Sequence, residues 1–344
     1  MILEYVDFSF DKKDHCWLEH TESSDYVEDH NCNGCKSTMN DFVYLLNDKG
    51  EKGLTTGVCG NCGYIKRTRN LSPNTLHEHF SSRWLNLREK GDFEESGSVF
   101  NTLKPFIPNT GKPNAEISVL DVGCGNGDQL ITFEKNGFKT YGVEPSKSRS
   151  DTAKKNLLSS DITNGFSENF LISSQELYDI IYIENVLQFV EDPFTLLKLA
   201  SQKLKQGGLL YIKAQRFEWA GFAMFSVISI IRSYLDLYSL KTTIVQNNLN
   251  ILKHSDFPFQ LIFKKDSELN EITKKALSAA KKTDDVLIAK VASKEFLGLR
   301  SLLSGVVEIK NKSMNRSMKF KVVDRTPSLP IEIHTSEKLP IVLK

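Results

Sequence analysis

Four of the six cysteines stand in two pairs of equal spacing, Cys32-x-x-Cys35 and Cys59-x-x-Cys62, with 23 residues between the pairs. A Cys-x-x-Cys turn presents two thiolates to one ion. Two such turns supply the four soft ligands that structural zinc takes at tetrahedral corners. Gly34 and Gly60 let the backbone turn tightly there. The spacer exceeds the usual ~15–20 residues, and a β-hairpin in which 42–46 returns through 53–58 absorbs the excess. A closed shell of four thiolates leaves no open position for water, so the expected role of Zn2+ is structural. His30, two residues before Cys32, could substitute as a ligand, but four thiolates suffice. Cys16 reads as an ordinary small apolar residue.

The second chemical signal is Val119-Leu120-Asp121-Val122-Gly123-Cys124-Gly125-Asn126-Gly127-Asp128, placed after one expected strand and before one expected helix. Glycines there allow sharp turning and close backbone approach to a ligand. Asp128 stands where a dinucleotide-binding loop would carry its third glycine. An acid at that point sits poorly with a pyrophosphate and well with a ligand carrying an amino group and a positive sulfur. Glu144 lies 17 positions beyond Gly127, at the end of a second expected strand. An acid at that tip is placed to accept ribose hydroxyls. Together these features describe S-adenosylmethionine better than a nicotinamide dinucleotide.

These residues need elements to hold them. The chain has 344 residues, room for about two domains. Hydrophobic residues make up 40% and charged residues 25%, an ordinary soluble composition that excludes disordered, collagen-like and multi-pass membrane classes. From residue 117 onward, short apolar runs alternate with helical patterns: strands at 117–122, 139–143, 178–183 and 209–213, helices at 129–136, 148–158 and from 193 up to the stop at Gly207-Gly208. Asp192 is the expected N-cap of the last helix and Pro193 its first residue. This grammar predicts an α/β fold with an open parallel sheet. A helix at 267–280 falls between expected strands at 260–263 and 286–291, and weaker strand patterns lie at 318–323 and 331–334. Ser72-Pro73 opens another expected helix. The reading divides the chain into 1–70, an N-terminal region with the zinc ribbon; 71–115, a helical linker; 116–293, the sheet domain; and 294–344, a C-terminal extension of short strands.

The loop at 119–127, Glu144, the run from Tyr178 to Pro193 and Leu204-Lys205-Gln206-Gly207-Gly208-Leu209-Leu210 resemble the class I S-adenosylmethionine-dependent methyltransferases, a Rossmann-like fold. Cys59-Gly60-Asn61-Cys62-Gly63, Leu71-Ser72-Pro73-Asn74-Thr75-Leu76 and Phe80 resemble the zinc-ribbon leader of bacterial methyltransferases in sugar and cell-surface glycan pathways. The resemblance implies that Asp121, Gly123, Gly125 and Gly127 line the methionine portion of the donor and that Glu144 binds its ribose. Glu184 and Asn185 fall at the carboxyl end of the fourth strand, where ligands bind in open α/β sheets. It also implies methyl transfer to a hydroxyl or carbon of a sugar or glycan precursor, such as a nucleotide sugar or a lipid-linked sugar. Many relatives carry Glu-His where this chain has Gln188-Phe189, so any base comes from elsewhere.

Methyl transfer is an in-line displacement with a neutral leaving group. It asks for alignment, exclusion of water and, for a hydroxyl acceptor, removal of a proton. Candidate bases are His77, His79, His254 and Glu218; His77 and His79 are two apart on an expected helix, so at most one faces a cleft. Each taken alone is better read as an ordinary structural or surface residue. Residues 219–238 place Trp219, Phe222, Phe225, Ile228 and Ile231 at helical spacing, a substrate lid or core helix, with membrane contact as a second reading. The longest mostly apolar stretch, 219–231, would span about 20 Å as a helix, short of the ~30 Å hydrocarbon core. The N-terminus lacks a basic region followed by an apolar run, so the expected compartment is cytoplasmic. Lys310, Lys312, Arg316, Lys319 and Lys321 read as a solvated face or a seat for an acidic substrate. An RNA methyltransferase and a non-catalytic binding module are competing readings. A net charge of +1 and the lack of a basic-aromatic cluster around the cysteines argue against nucleic acid.

Overall fold

Strand-forming runs dominate both ends of the chain, and helix–strand alternation fills its middle. The computed structural model describes residues 2–8, 23–46, 52–75, 95–107, 113–214, 231–256, 259–280, 306–311, 316–324, 332–334 and 340–342. In chain order the strands are β1 (Ile2–Phe8), β2 (Tyr26–Glu28), β3 (Met39–Leu46), β4 (Lys52–Cys59), β5 (Ile65–Leu71), β6 (Ser118–Val122), β7 (Lys139–Glu144), β8 (Asp161–Asn164), β9 (Tyr178–Glu184), β10 (Leu204–Ala214), β11 (Ser233–Tyr234), β12 (Leu249–Asp256), β13 (Phe259–Lys265), β14 (Val306–Asn311), β15 (Arg316–Asp324), β16 (Glu332–His334) and β17 (Pro340–Val342). The helices are α1 (Ser98–Leu103), α2 (Leu130–Lys135), α3 (Lys147–Asn156), α4 (Ser167–Ser173), α5 (Pro193–Lys203), α6 (Lys241–Gln246) and α7 (Glu271–Ala279).

The chain divides into two compact units. One comprises 1–84, 217–239 and 280–344; the other comprises 85–216 and 240–279. The first is built on a sheet in which β11, β5, β4, β3, β1, β15 and β14 lie side by side, with β2 also pairing β5. The expected hairpin is present as β3 and β4, antiparallel with Met39 opposite Cys59. Ser233 and Tyr234, which follow β10 in the chain, pair with Lys66 and Ile65 of this sheet. Arg67, buried in β5, donates to the Thr56 hydroxyl at 2.8 Å and the Ile231 carbonyl at 3.3 Å.

The second unit carries a seven-stranded sheet in the order β12-β13-β10-β9-β6-β7-β8. β8, β7, β6, β9 and β10 are parallel, and β13 and β12 close one side antiparallel, so the sheet is mixed rather than wholly parallel. All five residues of β6 are buried, as expected of a central parallel strand covered on both faces. The chain goes to β7 on one side of β6 and later to β9 on the other. That reversal is the switch point at which open α/β sheets bind ligands. Phe100, Phe133, Phe138 and Tyr182 form part of the core behind it; Phe133 stacks on Tyr182 at 5.6 Å and meets Phe100 edge-on at 5.2 Å.

Local chemistry explains several element ends. Asp192 accepts the N–H groups of Phe194 and Thr195 at 3.0 and 3.1 Å, and Pro193 opens α5. Asp179 accepts from the Ser118 N–H and hydroxyl and from Lys205 at 2.7 Å, tying the starts of β6, β9 and β10 together. The expected helix at 267–280 is α7, shorter at its start, whereas the expected strand at 286–291 lies outside the described residues. The third parallel strand, β8, is only four residues long with a single buried side chain, which is why its hydrophobic pattern is faint.

Candidate functional site

The glycine loop leaves β6 at Val122 and passes under the tip of β7. Gly123, Gly125 and Gly127 all have positive φ, at 81°, 56° and 88°. A Cβ on Gly123 would stand 2.4 Å from Val186 Cγ2 in addition to its backbone strain. The loop is pinned by backbone bonds from Gly123 and Cys124 to the Val143 carbonyl at 2.8 and 3.1 Å. Glu144, only 4% exposed, adds a side-chain clamp: its carboxylate accepts the N–H of Gly125 and the N–H of Ser146, each at 3.0 Å.

Above the carboxyl ends of β6 and β9 lies a cavity of 420 Å³, within the usual range for small-ligand sites. Asp121, Gly123 and Gly125 line it from the β6 side, Tyr182 and Glu184 from β9, and Glu95, Asp128 and Arg149 also line it. The charged groups of the lining are mainly acidic, Glu95, Asp121, Asp128 and Glu184 against Arg149. Burial pushes the Asp121 carboxyl well above the usual carboxylate range, and the neighbouring charges of Glu184 and Glu144 act in the same direction. Burial, with the Asp121 charge, likewise raises the Tyr182 hydroxyl. Glu184 pairs with Lys213 at 2.7 Å, its register partner on β10. Asn185 follows with φ of 56°, a left-handed conformation rare outside glycine.

The site residues expected from sequence therefore separate. Asp121, Gly123, Gly125 and Glu184 line the cavity, while Gly127, Glu144 and Asn185 are not among its lining residues. Gly127 instead meets α3, where a Cβ would stand 2.7 Å from Leu157 Cδ1. His254 is exposed on β12, separated from β6 by β13, β10 and β9. At ~4.8 Å per strand, that is ~19 Å from the glycine loop's strand. A base at the cavity therefore does not come from His254. His79 and Glu218 lie outside the described residues. Arg149 escaped the sequence reading because nothing in its spacing marks it; it enters the site only because the first turn of α3 packs beside the loop.

The four cysteines converge as their spacing predicts. Their Sγ atoms all lie within 4.8 Å of one another, and Cys32–Cys62 and Cys35–Cys59 are both 3.4 Å apart. That is close to the ~3.8 Å edge of a tetrahedron with ~2.3 Å zinc–sulfur bonds. The two turns repeat each other: Lys36 N–H donates to the Cys32 carbonyl and Gly63 N–H to the Cys59 carbonyl, both at 2.8 Å. Lys36 and Gly63 both adopt positive φ, 63° and 69°. Crowding splits the thiols: the Cys62 hydrogen bond is the largest influence bringing Cys32 down to about 5, and the same pairing raises Cys62.

Residues 97–253 match the family model described as a methyltransferase domain. This segment is a methyltransferase domain. It contains β6 to β10, the glycine loop and all of the cavity's lining except Glu95 and Ser96. Among similar curated proteins, the ubiquinone biosynthesis O-methyltransferase of Vibrio vulnificus is 23% identical over 153 residues, covering 43% of this chain and 64% of the relative. The protein of the same name from Pelagibacter ubique is 29% identical over 117 residues, covering 33% of this chain and 48% of that one. The chain thus spans less than two thirds of the length of these relatives. Similar solved structures include a magnesium protoporphyrin IX methyltransferase from Synechocystis with bound S-adenosylhomocysteine (TM-score 0.45, 13% identity, 57% of this chain and 100% of that one). Another is an S-adenosylmethionine-dependent methyltransferase from Archaeoglobus fulgidus (TM-score 0.41, 16% identity, 54% and 100%). The methyltransferase domain has the Rossmann-like architecture expected of it, and the four-cysteine cluster is consistent with a small zinc-ribbon-like domain ahead of it.

Proposed function

We propose that this protein transfers the methyl group of S-adenosylmethionine to a hydroxyl or carbon of a small acceptor. The observation that carries this reading is the acidic cavity over a three-glycine loop at the switch point of a methyltransferase domain. When bound, S-adenosylmethionine supplies a methyl group on a positive sulfur and leaves as a neutral thioether. Asp121, Asp128 and Glu184 face the cavity with carboxyl groups suited to an ammonium and a sulfonium. Gly123 and Gly125 let backbone approach the ligand without side-chain bulk. Tyr182, stacked on the core, fixes the floor between Asp121 and Glu184. Lys213 holds Glu184 in one orientation on the β9 side. His79 and Glu218 stay as proposed bases.

The acceptor class we favour is a sugar or glycan precursor, on the support of the two-turn cysteine leader. The names of the relatives, ubiquinone biosynthesis O-methyltransferases, favour a second class, an acceptor methylated on oxygen outside the sugar pathways. Zn2+ in the cysteine cluster would be structural, four thiolates filling its shell. Among the described residues no helix is long and apolar enough to cross a membrane; a cytoplasmic enzyme working on a small soluble or lipid-linked acceptor accords with that. Calorimetry with S-adenosylmethionine, followed by labelled methyl transfer to panels of nucleotide sugars and catechols, tests the reading. Absence of binding at high micromolar donor would sink it, and label on catechols alone would move the acceptor to the second class.

A further inference from the structure

Arg149 is the third residue of α3, a helix whose N-cap Ser146 accepts the Arg149 N–H at 3.4 Å. Its guanidinium lies against the glycine loop. A Cβ built on Gly125 would stand 2.3 Å from Nη2, 3.1 Å from Cζ and 3.5 Å from Nε of Arg149. Arg149 also lines the cavity, and among the described lining residues it is the one cation. Its Nε–H is shut away from solvent and has no hydrogen-bond partner. A buried donor without an acceptor is costly, more so on a charged group, and a ligand oxygen or ring nitrogen would relieve it.

Glu144, at the neighbouring strand tip, gives its two oxygens to the N–H groups of Gly125 and Ser146. Among the described residues beside that tip, Arg149 keeps a buried donor, its Nε–H, without a hydrogen-bond partner. In open α/β sheets the tip of the second strand is where a nucleoside sugar is held, and β7 is that strand here. A guanidinium offers such a ligand an in-plane donor and a flat face for a purine.

Resting on the donor reading above, we propose that Arg149 recognises the adenosine half of the donor. Its Nε–H donates to an acceptor atom of the nucleoside, and its plane packs on the base. Arg149 is thus a binding residue of the donor site, selecting for the nucleoside rather than for the amino-acid end.

The test is calorimetry on the full chain with S-adenosylhomocysteine and with methylthioadenosine, which keeps the nucleoside and sulfur but lacks the amino-acid end. Arg149→Met should weaken both ligands by the same factor, about tenfold for one charged hydrogen bond and its packing. Arg149→Lys should lose about as much, because an ammonium provides neither the in-plane donor nor the flat face. If the Met variant melts below the wild type, the Lys variant, which keeps stem and charge, is read in its place. Unchanged or tighter binding overturns the proposal. So does full rescue by lysine, or a loss confined to S-adenosylhomocysteine, which would put Arg149 at the amino-acid end. Failure of the wild-type chain to bind either ligand would instead remove the donor reading itself.

Discussion

The carboxylate of Glu144 accepts the backbone N–H of Gly125 at 3.0 Å, so the tip of β7 holds the loop that leaves the neighbouring strand β6. Its other oxygen accepts the Ser146 N–H, which starts α3. One buried side chain thereby sets two flanks of the cavity. Glu144→Ala would leave two backbone donors unsatisfied, each worth ~1–3 kcal/mol where buried. Urea unfolding should show a loss of at least about 1 kcal/mol, with faster hydrogen exchange at Gly125. Full stability in the variant would show that the clamp is dispensable.

Gly123→Ala should abolish donor affinity without unfolding the domain. Its φ of 81° disfavours a side chain by ~1–2 kcal/mol, and its Cβ would collide with Val186 Cγ2. The collision would displace the chain just after β9, next to Glu184. Donor titration of a variant whose far-ultraviolet dichroism matches the wild type decides the point. Wild-type affinity would mean that the loop tolerates bulk and does not cradle a ligand.

The equivalence of Lys36 and Gly63 makes an asymmetric pair of substitutions informative. Gly63→Ala should destabilise the cysteine unit by ~1–2 kcal/mol because only glycine adopts its φ of 69° without strain. Lys36→Gly should not destabilise it, since strain relief offsets the added freedom of the unfolded chain. Cys59→Ser should lower bound zinc below one equivalent and the melting temperature with it. Metal content by atomic absorption and thermal melts separate these outcomes.

Asp179 links stability to pH. Partial burial acts to raise its carboxyl, but hydrogen bonds from Lys205 and Ser118 prevail and hold it below the ordinary value. A carboxylate depressed in the folded state contributes stability above its unfolded pKa of about 3.9, and loses it as pH falls through the folded value. Asp179→Asn should therefore be less stable than the wild type at pH 7, with the gap narrowing towards pH 3. Denaturant midpoints across that range give the comparison; a gap independent of pH would assign the effect to packing instead.

Much of the site was legible in order along the chain. Cys32, Cys35, Cys59 and Cys62 were readable as one cluster because a metal shell imposes its spacing on sequence directly. The loop 123–127 was readable because glycine takes its backbone angles without strain, and the Asp192–Pro193 cap because its hydrogen bonds span three residues. Such features are local, and local physics leaves a local pattern.

What the fold alone decided is what depends on neighbours distant in sequence. The sequence marked Glu144 as an acid at a strand tip, but only the pairing of β7 with β6 turned its oxygens onto Gly125 and Ser146. His254 carries the chemistry of a base, yet its strand lies four places from β6 in the sheet order. Arg149 is one of many surface-type cations in the sequence, and only the packing of α3 against the glycine loop brings it into the cavity. Side-chain direction and strand order are set by long-range burial and hydrogen bonding, and a single chain of residue types does not record them.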